Sequence, residues 1–369
     1  DEAQLRRNGE ILLGVQQRTG CRILLAQKAF SNFNVYPVLA PYLAGTEASG
    51  LYESRLGREE LPEKENHVFC AAYRADEFEE LLQYADHIVF NSPSQLAKFG
   101  PAAKAAGKSI GLRINPECST QEGHEIYDPC APGSRLGTTR AQWDAAVAAH
   151  PELPALLDGL HFHTLCEQDA DALAVTLAAV EKKFADLLPR MQWLNFGGGH
   201  HITRPGYALA TLENCILSMR QKYGIQVYLE PGEAVALNAG YLVTEVCDIV
   251  HNGMDILILD ASAACHMPDV LEMPYRPPLR NGFAAGEQKY TYRLSSLTCL
   301  AGDVIGDYSF THEIQIGDRL VFEDMAIYSM VKNNTFNGIP LPSIAMLRED
   351  GEVEMLKQFG YEDFKGRLS

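Results

Sequence analysis

The chain has 369 residues, 46% of them hydrophobic and 9% aromatic, which is typical of a globular protein and excludes a disordered one. Its length predicts two domains, and no apolar run reaches the length of a membrane helix. The net charge of −17 argues against nucleic acid or an anionic membrane as a partner and suits a cationic small substrate. No signal peptide is visible, and the nine cysteines are scattered without a CxxC pair. We therefore expect a reducing, cytoplasmic location.

Short apolar strands alternate with helical patterns from residue 1 to about 233. The first predicted strand, CRILLAQ, follows a predicted helix at 2–19 and is too short for an ordinary helix. The eight predicted strands are 21–27, 45–50, 67–70, 87–91, 109–116, 157–164, 191–199 and 226–232. The helices between them are predicted at 36–44, 51–57, 75–84, 93–107, 139–149, 167–187 and 206–223, with a longer loop at 127–137. Because eight parallel strands close a (β/α) barrel, we predict such a barrel over residues 1–234.

The pattern changes after about residue 234. Runs rich in Val, Ile, Tyr and Thr, separated by Gly, Pro and Asn, predict strands within 240–250, 254–262, 290–300 and 318–331. A helical pattern returns only at about 353–366. The sequence therefore predicts an α/β protein, with a TIM-like barrel followed by a mostly β domain over residues 235–369.

Lys28 ends the first predicted strand. A lysine whose stem lies among apolar side chains has a lowered pKa, because burial disfavours the ammonium form. Such an amine forms Schiff bases with carbonyl compounds and with pyridoxal phosphate. Taken alone, Lys28 is more ordinarily interpreted as a strand end whose ammonium group simply reaches solvent.

Further candidates lie at the ends of other predicted barrel strands, where the reactive groups of such barrels meet. Gly197, Gly198 and Gly199 follow an apolar strand and precede a helix. Their amides could cradle a phosphate, although a flexible turn is the alternative. Glu230 ends the eighth strand and could hold a proton on a pyridine nitrogen or form an ordinary salt bridge.

His161 and His163 both lie on the sixth predicted strand, and residues two apart in a strand share a face. An inward pair could bind zinc, as in barrel hydrolases. Alternatively, one imidazole could stack on a cofactor ring, while a hydrogen-bonded core histidine describes His161 better.

The β domain adds candidates of its own. Cys299, in the run LTCLAGD that also holds Asp303, could donate a proton from an exposed thiol, although cysteine is usually a small core residue. Tyr328 could donate to a phosphate. Glu233 and Asp269 could hold substrate ammonium groups, although surface carboxylates are the ordinary interpretation.

Together these residues resemble a known family. A Lys ending the first strand, a His ending the sixth, GGG ending the seventh, EPG ending the eighth and a later TCxxxD are similar to the fold-type III pyridoxal-phosphate decarboxylases. These include ornithine and diaminopimelate decarboxylases and share their barrel with alanine racemase. The chain resembles more closely the branch that acts on carboxynorspermidine and carboxyspermidine. The runs that carry this resemblance are LHFHTLCEQ, NFGGGHHITRP, YLEPGEAVALN, HMPDVLEMPY, TCLAGDVIGDYSF and NTFNGIPLPSIA. The resemblance covers nearly the whole chain.

The resemblance implies pyridoxal 5'-phosphate as the cofactor and gives each candidate a role. Lys28 would hold the cofactor as a Schiff base, His163 would stack on its ring, and Glu230 would pair with its ring nitrogen. Gly197–Gly199 and Tyr328 would bind its phosphate. Two arginines would lie near the cofactor in less defined roles: Arg113 and Arg135.

The resemblance also implies the reaction, which is loss of CO2 from carboxynorspermidine or carboxyspermidine to give norspermidine or spermidine. Cys299 would return a proton to Cα and would come from the other subunit of a homodimer. Glu233 and Asp269 would meet the polyamine nitrogens, with Asp303 assisting.

Three features depart from the family pattern. Many relatives have EPGR where this chain has Glu233, a change that fits a substrate with an extra positive charge and argues against diaminopimelate. Gln27 stands where relatives usually have an apolar residue, and strand alternation turns it away from Lys28. The family's first strand, which would pair in the β domain, would precede Asp1.

Other functions stay open at this point. One is decarboxylation of another basic amino acid, of the ornithine, arginine or diaminopimelate type. A metal-dependent barrel hydrolase built on His161 and His163 is more remote. A barrel that only carries pyridoxal phosphate would lack the β domain with Cys299.

Overall fold

A computed structural model describes residues 1–121 and 128–369, so Tyr127 at the start of the predicted loop lies outside the described residues. The chain divides into two compact units, one formed by Arg6–Val235 and the other by Asp1–Leu5 with Ala236–Ser369. The first contains a closed barrel of eight parallel strands, and the second contains a mixed sheet. The predicted fold class is confirmed.

The barrel strands follow one another in chain order, and β8 pairs with β1 to close the ring. They are β1 Arg22–Ala26, β2 Gly45–Ala48, β3 Glu65–Phe69, β4 His87–Phe90, β5 Ser109–Arg113, β6 Gly159–His161, β7 Trp193–Asn195 and β8 Gln226–Leu229. The helices are α1 Glu2–Thr19, α2 Tyr36–Leu39, α3 Leu51–Glu60, α4 Phe78–Tyr84, α5 Pro93–Ala105, α6 Arg140–Ala149, α7 Ala170–Phe184, α8 Leu209–Tyr223 and α9 Glu233–Ala236. All eight predicted strands are present, and most are shorter than predicted.

The second unit is a six-stranded sheet in the order β11-β13-β12-β10-β9-β14. Its strands are β9 Tyr241–His251, β10 Asp255–Leu259, β11 Phe283–Ala284, β12 Tyr290–Ser296, β13 Val304–Phe310 and β14 Arg319–Glu323. A separate two-stranded sheet and three short helices complete the unit: β15 Ile344–Leu347, β16 Val353–Lys357, α10 Ala263–His266, α11 Asp269–Glu272 and α12 Tyr361–Lys365.

Two expectations for this unit are wrong. Residues 353–357 were expected to be helical, but they form β16, because they pair antiparallel with β15 and only α12 is helical beyond them. The strand expected over 318–331 ends at Glu323. The strand β13 was not foreseen, and its antiparallel pairing with β12 places Cys299 in the connection between the two.

A layer of side chains fills the middle of the barrel. Leu24, Val89, Trp193 and Tyr228 form one buried cluster there. The Trp193 indole takes the space left by two glycines, since a Cβ would lie 2.3 Å from its ring at Gly111 and 2.0 Å at Gly159. This layer separates the carboxyl-terminal mouth of the barrel from its amino-terminal floor.

Candidate active site

A buried carboxylate marks the carboxyl-terminal mouth of the barrel. Glu230 follows β8 and is only 4% exposed. Its Oε2 lies 2.9 Å from His161 Nε2 on β6, and Asn195 Nδ2 on β7 donates to Oε1 over 2.6 Å. Three neighbouring strands therefore hold one carboxyl group from both of its oxygens.

The electrostatics of this pair favour an ionised carboxylate. Burial alone would raise the pKa of Glu230, but the charge of His161 and its hydrogen bond, with the charges of His67 and Lys28, lower it to about 2. Burial lowers the pKa of His161, against the pull of Glu230. The anion is thus stabilised by its partners and not by water.

His163 lies beyond the end of β6, and its ring is oriented by the backbone. The Gly198 amide donates to His163 Nδ1 over 3.2 Å, which puts the ring proton on Nε2. Burial, then the charges of Lys28 and Arg113, hold the pKa of His163 well below its usual value. His163 is therefore a neutral imidazole with a fixed tautomer.

Arg113, at the end of β5, is a buried cation beside these groups. Its Nη2 donates to the His163 carbonyl over 3.1 Å, and its guanidinium lies 4.5 Å from the centre of the Phe69 ring. Burial lowers its pKa to about 10, with Glu230 opposing. The arginine brings positive charge to the mouth without a direct contact to Glu230 in the described residues.

The glycine run is needed for close backbone packing. Gly197 and Gly199 have positive φ, and a Cβ would lie 2.3 Å from the Phe162 carbonyl at the first and 2.0 Å from the Leu165 carbonyl at the second. The Gly197 amide already donates to Asn195 Oδ1 over 2.9 Å, as the Gly198 amide does to His163. The amides of Gly197 and Gly198 therefore already have acceptors within the protein, so the predicted phosphate contact of this run depends on the Gly199 amide.

Lys28 does not end its strand, because β1 stops at Ala26 and Lys28 lies in the turn that follows. Burial is the main cause of the low pKa values of His161 and His163, and the Lys28 charge lowers both pKa values further. The ammonium group is thus close to the predicted cofactor residues.

Gln27 is buried and accepts from the Tyr36 hydroxyl over 3.1 Å, so it anchors this turn from outside the barrel.

Glu47 on β2 is a site residue that sequence reasoning missed. It is 2% exposed, and its Oε2 has no hydrogen-bond partner in the described part of the chain. Burial and then the Glu230 charge raise its pKa to about 8, against Lys28 and Arg113. The mouth thus holds one ionised and one protonated carboxyl group. The signal was a lone Glu within a short strand of small residues.

In the second unit, Cys299 is exposed in the connection between β12 and β13. Its amide donates to Asn337 Oδ1 over 2.8 Å. The same connection contains Asp303, which is 1% exposed and accepts from the hydroxyls of Ser262, Ser296 and Thr298. A carboxylate so enclosed supports the turn that carries Cys299 and is poorly placed to meet substrate.

Asp269, the first residue of α11, already has a cationic partner. The Lys332 ammonium donates to both Asp269 and Glu272. Burial would lower the pKa of Lys332, but these two carboxylates raise it. An alkylammonium group of the chain itself therefore occupies the position predicted for a substrate ammonium.

The remaining predicted residues lie in loops and at the start of a helix. Tyr328 is not in a strand and has φ of 52°, an uncommon conformation for a non-glycine residue. Glu233 is in the first turn of α9, in the barrel unit. Arg135 is exposed, and Asn91 Nδ2 donates to its carbonyl over 2.8 Å.

The zinc interpretation of the sixth strand is not supported. In residues 1–121 and 128–369, the metal-ligating side chains close enough to share one ion are Glu65, His67 and His87, not His161 or His163. His161 is instead paired with Glu230.

Over the same residues, no helix combines the length and apolar character needed to cross a membrane.

Comparison with known proteins places this geometry in a family. Residues 33–326 match the model described as pyridoxal-dependent decarboxylase, C-terminal sheet domain. A carboxynorspermidine/carboxyspermidine decarboxylase of Campylobacter jejuni is 41% identical, covering all of this chain and 96% of the relative. A carboxyaminopropylagmatine decarboxylase of Synechocystis sp. is 42% identical, covering all of this chain and 94% of the relative.

The same family is found among solved structures. The crystal structure of carboxynorspermidine decarboxylase from Campylobacter jejuni, complexed with norspermidine, has a TM-score of 0.90 and 39% identity. The match covers 99% of this chain and 97% of that one. The chain therefore belongs to the pyridoxal-dependent decarboxylases, within the group that includes the carboxynorspermidine/carboxyspermidine decarboxylases.

Proposed function

We propose that this chain removes CO2 from carboxynorspermidine or carboxyspermidine, giving norspermidine or spermidine, with pyridoxal 5'-phosphate as cofactor. The observation that carries the proposal is the ionised Glu230, buried beside His161 at the barrel mouth that also receives Lys28. The names of the full-length relatives support the substrate class. The carboxyaminopropylagmatine relative adds a third carboxylated polyamine to be tested.

The residues of the mouth fit this cofactor. Glu230 is an anion suited to a protonated ring nitrogen, Lys28 offers an amine, and His163 is a neutral imidazole in one tautomer. Glu47 Oε2 is buried without a hydrogen-bond partner in the described residues, and a bound ligand would satisfy it. When bound, pyridoxal phosphate supplies an electron sink for the pair left at Cα by departing CO2.

The chain's own residues prepare that chemistry. The Lys28 amine would hold the cofactor and would be the group that the substrate amine replaces. Glu230, kept ionised by His161 and Asn195, would hold the proton on the ring nitrogen. His163 keeps its ring orientation because Gly198 fixes Nδ1, so a face of the imidazole is available to the cofactor ring.

Phosphate binding is assigned to fewer groups than the sequence suggested. The Gly197 and Gly198 amides donate within the protein, which leaves the Gly199 amide as the member of the run to meet a phosphate oxygen. Tyr328, held in a strained turn, adds a hydroxyl donor. Two arginines supply positive charge nearby: Arg113 and Arg135.

The second unit would complete the site from the partner subunit of a homodimer. Cys299 carries an exposed thiol that can return a proton to Cα, on a turn braced by the buried Asp303. Asp269 of the second unit would meet ammonium groups of the polyamine in competition with Lys332, and Glu233 of the barrel unit would meet them as well. All nine cysteines are free, in support of a cytoplasmic location.

The decisive test is CO2 release from carboxynorspermidine by the purified protein and by Lys28→Ala, with exposed Lys98→Ala as the matched control. We expect loss of turnover only in Lys28→Ala. Borohydride should bleach a yellow protein and attach the label to the peptide containing Lys28. A colourless protein that stays colourless with added pyridoxal phosphate would overturn the cofactor assignment.

Substrate choice needs a separate comparison. Carboxynorspermidine, carboxyspermidine, carboxyaminopropylagmatine, ornithine, arginine and diaminopimelate should be ranked by kcat/KM on one preparation. We expect the carboxylated polyamines to exceed the simple amino acids. Preference for ornithine, arginine or diaminopimelate would replace the polyamine assignment while leaving the decarboxylase assignment intact.

A further inference from the structure

A second cluster of ligand-type side chains lies at the floor of the barrel, away from the candidate active site. Glu65 opens β3, His67 lies two residues further along it, and His87 opens β4. In the register of β3 and β4, His67 pairs directly with His87. The parallel pairing thus brings two imidazoles and a carboxylate together at the amino-terminal end of the barrel.

We propose that Glu65, His67 and His87 form a binding site for one borderline divalent transition-metal ion of the zinc class. One ligand atom from each residue lies within 4.8 Å of the other two. The His67 Nε2 and a Glu65 carboxylate oxygen are already 3.1 Å apart. Such a spacing lets an ion replace the proton that now lies between nitrogen and oxygen.

An unsatisfied nitrogen atom indicates that the cluster is not simply a packed core. His87 Nδ1 is buried and has no hydrogen-bond partner in the part of the chain that the structure describes. The two rings stack nearly parallel at a centroid distance of 3.9 Å, so one ring must rotate for both to direct a nitrogen lone pair at the same ion. Buried polar atoms without partners are uncommon, and an unbound ion is one of the causes to test.

The ligand set selects the class of ion. Two imidazoles and one carboxylate match the three protein ligands of many zinc sites, with a fourth position left for water. Calcium and magnesium prefer oxygen ligands, and copper(I) prefers sulfur. A borderline divalent ion such as Zn²⁺ or Co²⁺ is therefore favoured.

The floor is separate from the mouth. The His67 ring lies 4.6 Å from the Tyr228 ring and the His87 ring 5.2 Å from the Trp193 ring, both in the middle layer of the barrel. The ligands belong to the first half of β3 and to the start of β4, whereas Glu230 follows β8. An ion here would link two adjacent strands without contacting the predicted cofactor residues.

Arg22 controls access to the carboxylate. Its guanidinium forms an ion pair with Glu65, and half of its side chain is exposed to solvent. The Arg22 side chain can therefore move away from Glu65 into solvent when an ion binds. While it remains beside Glu65, its positive charge opposes binding of the ion. We expect Arg22→Gln to bind the ion more tightly than the unaltered chain.

The first measurement is the absorption spectrum of the full-length protein, freed of metal by a chelator and titrated with Co²⁺. Nitrogen and oxygen ligands should give visible d–d bands that saturate at one equivalent, without the near-ultraviolet charge-transfer band of thiolate ligands. This readout requires no variant and distinguishes the site from the nine cysteines. Absence of saturable bands, or a thiolate band alone, would overturn the proposal.

The second measurement is Zn²⁺ affinity by competition with a chromophoric chelator. Losing even an outer-shell partner costs roughly 10–100-fold in affinity, so His67→Gln and His87→Gln should each weaken binding by at least that factor. His150→Gln is the matched control, because His150 lies beside Glu152 on the surface. Circular dichroism checks that each variant is folded. Equal affinity in the three variants would exclude this site.

Discussion

The mouth and the floor of the barrel use the same residue types in different ways. At the mouth, His161 faces a carboxylate that is 4% exposed and has a second donor in Asn195. At the floor, His67 faces Glu65, whose side chain is 23% exposed and shared with Arg22. The chemistry of the pairs is alike, and the access of water to the carboxylate differs.

This difference determines what each pair can do. Burial makes the Glu230 charge depend entirely on its protein partners, so the carboxylate is fixed in place and in ionisation. Water and Arg22 can stabilise Glu65 without His67, so the floor histidines are available for another ligand. Enclosure thus separates the proposed catalytic anion, Glu230, from the proposed metal site at the floor.

The largest expected effect is at the mouth. His161→Leu leaves the Glu230 charge buried without its imidazole donor, and a buried group that loses its hydrogen-bond partner costs about 1–3 kcal/mol, more where that group is charged. Both tryptophans, Trp143 and Trp193, lie in the barrel unit, so denaturant unfolding followed by tryptophan fluorescence reports on it. A loss below about 1 kcal/mol would contradict the account of the mouth.

A smaller effect is expected from the second carboxyl group at the mouth. The folded pKa of Glu47 is raised to about 8, so the folded state binds more protons than the unfolded state between the ordinary carboxyl pKa and pH 8. Stability from Glu47 is complete below the unfolded pKa and is lost as pH rises through about 8. Glu47→Gln should therefore unfold at a higher temperature than the unaltered chain at pH 8, and the gap should shrink at pH 5. A gap that is constant with pH would refute this assignment.

The control for that experiment is Glu60→Gln, because Glu60 is an exposed carboxylate at the end of the helix that follows β2. Its stability difference from the unaltered chain should not change between pH 5 and pH 8. Glu230 does not confound the window, because its lowered pKa confines its own contribution to acid, where stability falls as the carboxylate is protonated.

The smallest expected effect is at the floor. His67→Leu makes the same substitution as His161→Leu one layer lower, but it leaves behind a carboxylate that retains Arg22 and water. We expect a change within about 1 kcal/mol in the metal-free protein, measured by the same fluorescence. Zinc should stabilise the unaltered chain and not the variant. A loss as large as that in His161→Leu would erase the distinction between mouth and floor.

The local patterns predicted much of this protein. Alternating helices and apolar strands gave the barrel, and the polar strand ends pointed to Lys28, His163 and Glu230. Sequence reasoning missed Asn195 and Glu47, because an amide or a carboxylate in a short strand does not reveal which neighbour it faces. The error at residues 353–357 has the same origin, since pairing with β15 overrides a local helical pattern.

The sequence by itself determined the fold class and the family, because periodicity and long motifs are local properties of the chain. Only the tertiary structure decided which groups are charged and which are paired. Glu47 and Glu230 are the same residue type, yet burial and partners raise the pKa of one and lower that of the other. Ionisation depends on the distances between groups from different strands, and those distances exist only once the barrel has closed.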